Sequence, residues 1–524
     1  MKNGLLNKIL TPAILLVLVI AVIFSMPATV AAAEPAQNNL ASTTSVASTT
    51  NNSLVFEKDY LTAAKEKFEG STVHILMWRQ YTQTEKSLVD SFYQKTGIKI
   101  RTTVTTEAEY ATKLAALISG KDSPDVVCFN SEDFPAFVVN SLQPLKNSVF
   151  KLDDPIWYKP YMDNYSVNGK HFAVAINGAW ITECTNYVTY YNPNALVGLA
   201  DPYELYKQGR WNWSAAKEIA TAVSQKGSNY MGMSLQSKDL YMLSAGLEFI
   251  SYDGKQFTNN LDDGAQTKSI TAAWNEVSTL VSDNLVKRWD PQGISNGTTG
   301  LFSAIAFGLY NEGGWFDNVT TKGGVEALKA VPVAGPDNGL RYVPSRPNVF
   351  GVAKGAKNPE ATAYFLRYFL DPSNCDMDKT FYNDQFKEVF NIITNKTTRK
   401  QVLVTCGVMD YTTEGSYLEF CDELASAAPA QQTTIINKYQ SRFATNIKRA
   451  NNQLQNIIGG IPGDLNQDDQ ITDRDGVYLM YHIFNPNENP VEQDCDFDNN
   501  GVINDRDAVY LLYYTFDPEN YPIN

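Results

Sequence analysis

Two acidic segments near the C-terminus place oxygen-bearing side chains at the spacing that a hard cation requires. They are DLNQDDQITDRD (464–475) and DFDNNGVINDRD (496–507), and similar apolar stretches follow both copies. In a twelve-residue calcium loop, positions 1, 3, 5 and 12 give side-chain oxygens, position 7 gives a backbone carbonyl, and position 9 often binds through water. The spacing therefore predicts two Ca²⁺ sites. The candidate ligands are Asp464, Asn466, Asp468, Gln470, Thr472 and Asp475 in the first loop, and Asp496, Asp498, Asn500, Val502, Asn504 and Asp507 in the second.

The two loops depart from a standard EF-hand loop at two positions. Position 12 is Asp where Glu is usual, and position 6 is Gly501 in the second loop but Asp469 in the first. Because the backbone turns sharply at position 6, the first loop is the weaker prediction. A solvated acidic turn is the alternative for a single loop, but two copies in register favour metal binding.

Most of the negative charge of the chain lies in this tail. From residue 463 onward, eleven Asp and three Glu stand against two Arg, so the tail carries −12 of the total net charge of −14. Without metal these carboxylates repel one another in a module too small to have much core. We therefore expect a chelator to unfold the tail and to leave the preceding domain folded. The acidic balance also argues against a nucleic-acid partner, which requires a basic face.

The tail resembles a type I dockerin. The resemblance rests on the two loops and on the helical stretches that follow them, DRDGVYLMYHIF and DRDAVYLLYYTF. It implies a small all-α module over residues 458–524 with two EF-hand-like calcium loops, Ca²⁺ as cofactor, and a cohesin domain of a scaffold protein as partner. In that family, loop positions 10 and 11 help to recognise cohesin, and here they are Asp473, Arg474, Asp505 and Arg506. An ordinary charged helix start is the alternative for these four residues.

The N-terminus is typical of an exported protein. Lys2 and Lys8 precede an apolar run at residues 13–24, and three alanines end at Ala33. This pattern predicts a signal peptide over residues 1–33, with an uncleaved anchor as the alternative. Residues 34–60 are rich in Ser, Thr, Asn and Ala and are predicted to be a flexible linker. The six cysteines include no CxxC pair, so a zinc knuckle is not expected.

Residues 61–457 are long enough for two lobes with separate cores. Apolar runs at 73–78, 98–104 and 125–129 alternate with segments of helical spacing that end near Gly97 and Gly120. This strand–helix alternation predicts a parallel, doubly wound α/β sheet. Asn-Gly at 168–169 and Asp-Gly at 253–254 indicate hairpin turns.

Several motifs over roughly residues 70–455 resemble, in their order, the extracellular solute-binding proteins of bacterial sugar ABC transporters. The motifs are FYQKTGIKI, YATKLAALISGKDSPDVVCF, FPAFVVNSLQPL, DPYELYKQGRWNWSAAKEIA, AVPVAGPDNG and GVAKGAKNPEATAYFLRYF. The resemblance implies a two-lobed, periplasmic-binding-protein-like α/β fold with a hinge, an oligosaccharide ligand, and an ABC permease as a further partner. The lipidated Cys that is usual in Gram-positive members is not found near the predicted cleavage site, so the dockerin-like tail is the expected tether.

Candidate ligand-binding residues follow the predicted strands, because ligands of parallel sheets bind beyond the carboxyl ends of the strands. Sugar recognition combines an aromatic face with planar polar groups that bond to hydroxyls. The candidates of both kinds are Trp315, Trp180, Trp78, Arg79, Asn130, Glu132 and Asp133. Core or lobe–lobe packing is the alternative for each tryptophan, and a surface ion pair is the alternative for Arg79 and Asp133. Trp211 and Trp213 are expected instead to pack at the start of a helix capped by Ser214.

Catalytic motifs are weak in this sequence. GISNG (293–297) fits the nucleophile-elbow pattern G-x-S-x-G but lacks a buried strand before it and a suitable downstream His. The three histidines are isolated, and no P-loop or dinucleotide-binding motif occurs. The sequence therefore favours a secreted, non-catalytic carbohydrate-binding protein that docks onto a cohesin-bearing, cellulosome-like scaffold. A dockerin-bearing glycoside hydrolase or lyase is the alternative, because a catalytic carboxylate pair is defined by distance in space.

Overall fold

A computed structural model describes residues 54–397, 401–403, 408, 417–458, 463–466, 470–486, 488–489, 491, 495–498, 500, 502–518 and 520–523. The predicted signal peptide (1–33), most of the predicted linker and the candidate ligand Asp468 lie outside these residues. The predicted end of the linker at residue 60 is too late. Phe56 is 8% exposed, and its ring lies 6.0 Å from that of Trp157 and 5.4 Å from that of Tyr364, so the folded domain begins before the first helix.

The described strands form two five-stranded sheets and three strand pairs. The strands are β1 (Thr72–Met77), β2 (Lys99–Val104), β3 (Val126–Phe129), β4 (Leu142–Gln143), β5 (Ser166–Val167), β6 (Lys170–His171), β7 (Tyr187–Tyr191), β8 (Met231–Leu235), β9 (Ile250–Tyr252), β10 (Phe257–Asn259), β11 (Val286–Arg288), β12 (Thr299–Ile305), β13 (Lys329–Pro332), β14 (Val343–Ser345), β15 (Val349–Ala353) and β16 (Gln401–Leu403).

The described α-helices surround these sheets and form the tail. They are α1 (Tyr60–Phe68), α2 (Gln83–Thr96), α3 (Tyr110–Ser119), α4 (Ala136–Asn140), α5 (Asn147–Phe150), α6 (Lys159–Asn164), α7 (Trp180–Glu183), α8 (Pro202–Lys207), α9 (Trp213–Ser224), α10 (Leu240–Ser244), α11 (Gly264–Ser282), α12 (Pro291–Ser295), α13 (Pro359–Phe369), α14 (Asp384–Thr394), α15 (Tyr417–Ser426), α16 (Pro429–Ile458), α17 (Asp473–Phe484) and α18 (Asp505–Phe516). Within the described ranges, no helix combines the length and the apolar character that a membrane span needs.

The first lobe is built on the sheet β2-β1-β3-β15-β4. β1, β2 and β3 run parallel, and β15 returns from late in the chain to pair antiparallel with both β3 and β4. β1 is buried over all but its first residue, as expected for a strand covered on both faces. The predicted parallel α/β start is therefore confirmed, and the sequence did not indicate the antiparallel strands beside it.

Helix α2 shows how the local sequence defines an element of this lobe. The Thr82 hydroxyl accepts the N–H of Glu85, and the Glu85 carboxylate accepts the N–H of Thr82, which is a capping box. Leu88 and Phe92, four residues apart, are buried on one face. The helix ends at Gly97, whose φ of 70° is a left-handed conformation that glycine adopts at little cost.

The second lobe is built on the sheet β11-β8-β12-β7-β13. β8 is parallel to both β11 and β12, whereas β7 is antiparallel to β12 and β13. The predicted cap of α9 is wrong: the Asn212 side chain, and not that of Ser214, accepts a helix N–H, that of Ala215 at 2.9 Å. Asn212 is the cap because the helix begins at Trp213, two residues earlier than a cap at Ser214 implies. Trp211 is buried, and its indole N–H donates to the Pro332 carbonyl at 2.7 Å, which agrees with a packing role.

The chain crosses between the lobes after β6, after β14 and after α13. The hairpin β9–β10 and helix α16 also contact the first lobe, through β5 and α4. Buried Glu183 ties the first crossing together. Its carboxylate accepts the Tyr161 hydroxyl at 2.7 Å, the Gly178 N–H at 3.0 Å and the side-chain amide of Asn186. The predicted two-lobed fold with a hinge is thus present, and the hinge is a region of several linked segments.

Two hairpins flank this framework. Asn168 and Gly169 have φ of 48° and 77° and form the two-residue turn between β5 and β6, as predicted. β9 and β10 form the second predicted hairpin around 253–254. The cysteines at 128, 184, 375 and 421 are free thiols.

The tail has a small core of its own. Helices α17 and α18 pack against each other around the buried residues Leu465, Leu479, Cys495, Phe497, Ala508 and Leu511. A Cβ on Gly476 would lie 2.8 Å from the Leu512 side chain, so the two helices approach closely at this glycine. The two helices stand where the repeated apolar stretches predicted them.

Candidate functional site

The carboxyl ends of the parallel strands in both sheets face the region between the lobes. We call the residues at these ends and on the adjoining crossings the interlobe site: Trp78, Arg79, Glu107, Asn130, Glu132, Asp133, Trp180, Trp289, Phe307, Trp315 and Arg346. The sequence predicted seven of these eleven positions. The contacts that follow join them into two groups, an aromatic group that runs from Arg79 to Trp315 and a polar group around Glu132.

The guanidinium of Arg79 lies against the rings of two candidate tryptophans. Its guanidinium donates to both carboxylate oxygens of Glu85, at 2.6 and 2.7 Å. It also lies 5.6 Å from the ring centroid of Trp78 and 5.2 Å from that of Trp180. Burial alone would lower the pKa of Arg79, but the bonds to Glu85 outweigh it and raise the pKa. Arg79 therefore acts as a structural cation within the site, in a partly buried ion pair.

Glu132 and Asp133 form the acidic part of the site. Glu132 pairs with Arg346, whose side chain is 2% exposed. Asp133 accepts the N–H of Asn130 at 3.2 Å, and the Asn130 side chain accepts the N–H of Glu132 at 2.9 Å. Burial raises the pKa of Glu132 to about 8 and that of Asp133 to about 7, Arg346 opposes both shifts, and the nearby Glu107 carboxylate adds to them. Near neutral pH these carboxyl groups can both donate and accept hydrogen bonds.

Trp315 belongs to an aromatic group on the second lobe. It is half-buried, and its ring centroid lies 4.9 Å from that of Trp289 and 5.8 Å from that of Phe307. The indole also covers Gly308, where a Cβ would come within 2.5 Å of the ring. Glycine is needed at that position because it lets the indole lie against the backbone.

Sequence reasoning missed Trp289 and Phe307. Both are half-buried. Trp289 directly follows β11, and Phe307 lies two residues beyond the end of β12. Trp289 has a φ of 45°, a left-handed conformation that is unusual for a bulky residue and frequent at functional sites. The sequence signal for Trp289 is its position directly after the strand in VKRW (286–289). A strand of three residues is too short to be distinguished from a loop by its pattern.

Trp180 is more enclosed than a ligand platform requires. It is 9% exposed, and its ring centroid lies 5.0 Å from that of Tyr310 and 6.0 Å from that of Phe307. Arg79 covers part of the same ring. Packing at the hinge therefore accounts for most of the surface of Trp180.

The arrangement suits binding better than hydrolysis. A glycosidase needs two carboxyl groups on either side of the scissile bond, whereas Glu132 and Asp133 are neighbours on one lobe. Ser295 of the GISNG segment is 2% exposed and ends the short helix α12, so it is not presented as a nucleophile.

The second predicted calcium loop brings three of its candidate ligands together. Carboxylate oxygens of Asp496, Asp498 and Asp507 all lie within 4.8 Å of one another. Two oxygens on the same Ca²⁺ ion, each at about 2.4 Å, are at most about 4.8 Å apart, so this spacing fits the ion. Asp507 is buried and accepts the N–H of Asp498 at 3.2 Å and that of Asn504 at 2.9 Å.

The remaining predicted ligands of this loop bond to one another. The Asn500 side chain accepts the N–H of Val502 at 3.0 Å, and the Val502 carbonyl accepts the Asn504 side-chain amide at 2.9 Å. These are the oxygens at positions 5 and 7. An ion at the loop centre would compete with these local bonds for the same oxygens.

The first loop repeats the hydrogen bonds of the second around Asp475. This buried carboxylate accepts the N–H groups of Leu465 at 2.8 Å, Asn466 at 3.1 Å and Thr472 at 2.8 Å. In both loops the residue at position 9 caps the following helix, and the Asp at position 12 completes a capping box. Asp464 is buried and Gln470 is exposed, and with Asp468 outside the described residues the ligand set of this loop stays a prediction.

The predicted partner-recognition residues lie in the first turns of the tail helices, where Asp473, Arg474, Asp505 and Arg506 are all exposed. The sequence analysis missed a neighbouring feature. Each helix also exposes an apolar stripe at matching positions: Val477, Tyr481 and Phe484 on α17, and Val509, Tyr513 and Phe516 on α18. The two phenylalanines are 79% and 82% exposed, so the described part of the tail leaves the ends of both stripes open.

Comparison with known proteins defines the family. The model of the bacterial extracellular solute-binding proteins matches residues 87–380, which is more than half of the chain. The chain belongs to this family. It is thus a solute-binding protein and not an enzyme, and the extracellular character of the family agrees with the predicted export. A comparison with curated proteins found no match.

Solved structures with the same two-lobed fold include several sugar-binding proteins. The cyclic alpha-maltosyl-1,6-maltose binding protein from Arthrobacter globiformis has a TM-score of 0.52 and 13% identity, covering 74% of this chain and 99% of its own. The sugar-binding protein MalE from Xanthomonas citri has a TM-score of 0.51 and 13% identity, covering 74% and 98%. An ABC substrate-binding protein from Listeria monocytogenes in complex with cycloalternan has a TM-score of 0.50 and 16% identity, covering 75% and 100%. At these identities the likeness shows the fold.

Proposed function

We propose that this solute-binding protein takes an oligosaccharide between its lobes. The observations that carry the proposal are the half-buried aromatic rings of Trp289 and Trp315 on the second lobe and the polar group of Glu132, Asp133 and Asn130 at a strand end of the first. Pyranose rings present apolar C–H faces that stack on aromatic rings, and their hydroxyls need groups that both donate and accept. The sugars named for three proteins of the same fold support the same ligand class.

The ligand class is tested with the full-length protein on an array of neutral gluco-, xylo-, manno- and malto-oligosaccharides, beside an array of peptides. We expect saturable binding to at least one neutral oligosaccharide. Trp289→Ala should lose that signal, whereas Trp213→Ala, which removes a half-buried tryptophan of α9, should keep it. Binding to peptides alone would assign the site to another solute class.

We further propose that the tail is a calcium-dependent dockerin that attaches the protein to a cohesin-bearing scaffold. The three carboxylates of the second loop and the repeated hydrogen bonds of the two loops support metal binding. The duplicated apolar stripes, each beside an exposed Asp-Arg pair, support recognition of a protein. In this proposal the protein works outside the cell as a scaffold-bound binder of oligosaccharides, and an ABC permease is a further candidate partner.

Scaffold attachment is tested by passing the full-length protein over immobilised type I cohesin domains with Ca²⁺ or with a chelator. We expect capture in Ca²⁺ and release by the chelator. Changing Phe484 and Phe516 to Ala together should weaken capture, while the same change at Leu340, an exposed residue of the upstream domain, should not. Failure of every cohesin to bind the calcium-loaded protein would remove the dockerin assignment and leave the solute-binding function untouched.

A further inference from the structure

A carboxylate of the second lobe caps a helix of the first. Glu312 lies in the turn Asn311–Gly313 that follows β12. Its carboxylate accepts the backbone N–H of Thr84 at 3.1 Å and the Thr84 hydroxyl at 2.8 Å. Thr84 is the second residue of α2, so its N–H has no acceptor within the helix. The capping box of α2 satisfies the N–H groups of Thr82 and Glu85 and leaves that of Thr84 to Glu312.

We propose that Glu312 is a positioning residue that stabilises the closed arrangement of the two lobes without contacting the solute. The two partners are 228 residues apart in the chain and belong to different lobes. A negative charge is favourable at a helix N-terminus, where the backbone N–H groups point outward. Because Glu312 is exposed and Thr84 is half-buried, their contact lies at the protein surface and joins the two lobes.

The segment that carries Glu312 also reaches the hinge and the aromatic group. Tyr310 packs its ring 5.0 Å from that of Trp180 at the first crossing, and Trp315 lies in the proposed sugar site. Tyr310, Glu312 and Trp315 lie within six consecutive residues of the chain. A rotation of the second lobe away from the first would therefore break the Glu312–Thr84 bonds and, in the same movement, displace the ring of Trp315.

The contact is thus present only while the lobes are closed, and it adds its free energy to that state alone. A solute held by both lobes binds more tightly when the closed state is more populated. The closing of the lobes over an oligosaccharide rests on the proposed function, but the contact between the lobes does not. The test therefore uses the full-length protein without solute.

The test is hydrogen exchange followed by mass spectrometry, comparing wild type with Glu312→Ala and with Glu326→Ala. Glu326 is a matched control because it is another exposed carboxylate of the second lobe in a short turn. In Glu312→Ala we expect amide exchange about threefold faster or more at residues 82–88, the factor expected from the loss of two exposed hydrogen bonds. Exchange should also accelerate in peptides 105–110 and 130–135, which line the interlobe site, and stay unchanged in α11.

Each outcome decides the proposal. Faster exchange at 82–88 alone would show that Glu312 is only a local helix cap, and it would overturn the proposed role of Glu312 in holding the lobes together. Exchange equal to that of wild type would overturn that role as well. Thr84→Ala should give an intermediate effect, and the double variant Thr84→Ala/Glu312→Ala should match Glu312→Ala. If no oligosaccharide binds on the array but the exchange pattern is as expected, the role of Glu312 between the lobes is supported and only the proposed class of solute is wrong.

Discussion

Replacing Asp507 with Asn tests whether the second loop is a metal site. Asp496, Asp498 and Asp507 bring three carboxylates within 4.8 Å. At that distance each pair of like charges repels by about 0.9 kcal/mol in water and by about 3.5 kcal/mol at an effective dielectric constant of about 20. The three pairs together oppose folding by about 3–10 kcal/mol. A core of six buried side chains has little stability to set against this, so a bound cation is needed.

We expect the wild-type protein to bind two Ca²⁺ ions. Asp507→Asn should lower the affinity of the second loop more than tenfold, a loss above about 1.4 kcal/mol, so that only one ion binds at the Ca²⁺ concentration that saturates the wild-type protein. Isothermal titration calorimetry of the full-length protein measures both quantities. The matched control is Asp505→Asn, which removes the same charge from an exposed residue two positions away and should leave the stoichiometry unchanged.

The chain offers a second readout that separates the tail from the rest. All eight tryptophans lie upstream of residue 463, so tryptophan fluorescence reports on the upstream domain alone. Chelation should accelerate hydrogen exchange in α17 and α18 and leave the tryptophan emission unchanged. Equal calcium binding by wild type and Asp507→Asn, or full protection of α17 and α18 in chelator, would rule out a metal site in the second loop.

Further predictions concern the upstream domain. Trp315→Ala should weaken oligosaccharide binding more than tenfold in calorimetry, because stacked aromatic surface of that size contributes about 1.5–3 kcal/mol, and undiminished affinity would remove Trp315 from the site. Burial raises the pKa of Asp239 from 3.8 to about 7, so the folded state keeps a proton that the unfolded chain has lost. The free energy of unfolding should therefore fall as pH rises from about 4 to about 7, by at most about 4 kcal/mol from this group. Asp239→Asn should flatten that slope in urea titrations across the same pH range, and an unchanged slope would assign the pH dependence to other groups.

The elements with local signals were predictable from the sequence. β1, α2 and the Asn168-Gly169 turn follow from an apolar run, a capping pattern with a closing glycine, and residues that accept positive φ. The antiparallel return of β15 into the first sheet was not predictable from local pattern, because its partners β3 and β4 lie more than 200 residues away in the chain. The same holds for the end of the linker, since the residues that bury Phe56 include Trp157 and Tyr364, which come much later in the chain.

The residues of the candidate site were likewise predictable only where the sequence carries a local signal. The strand-end rule led to Trp78, Glu132 and Asp133 because their strands are long apolar runs. It missed Trp289 because β11 is short, and Arg346 because its partner Glu132 is reached only through the return of the chain to the first lobe. The loop ligands were predictable because all positions of a calcium loop lie within twelve residues. The apolar stripes on α17 and α18 follow helical spacing, but only the structure shows that Phe484 and Phe516 at their ends stay largely exposed.

The central claim is that an oligosaccharide binds between the lobes on the aromatic group of the second lobe. A crystal structure of the full-length protein, grown with the neutral oligosaccharide that binds best on the array, tests it most directly. The account predicts a sugar ring stacked on Trp315 or Trp289, with hydroxyls bonded to the Glu132–Asp133 group. An oligosaccharide bound elsewhere on the protein, with the interlobe site free of sugar, would contradict it.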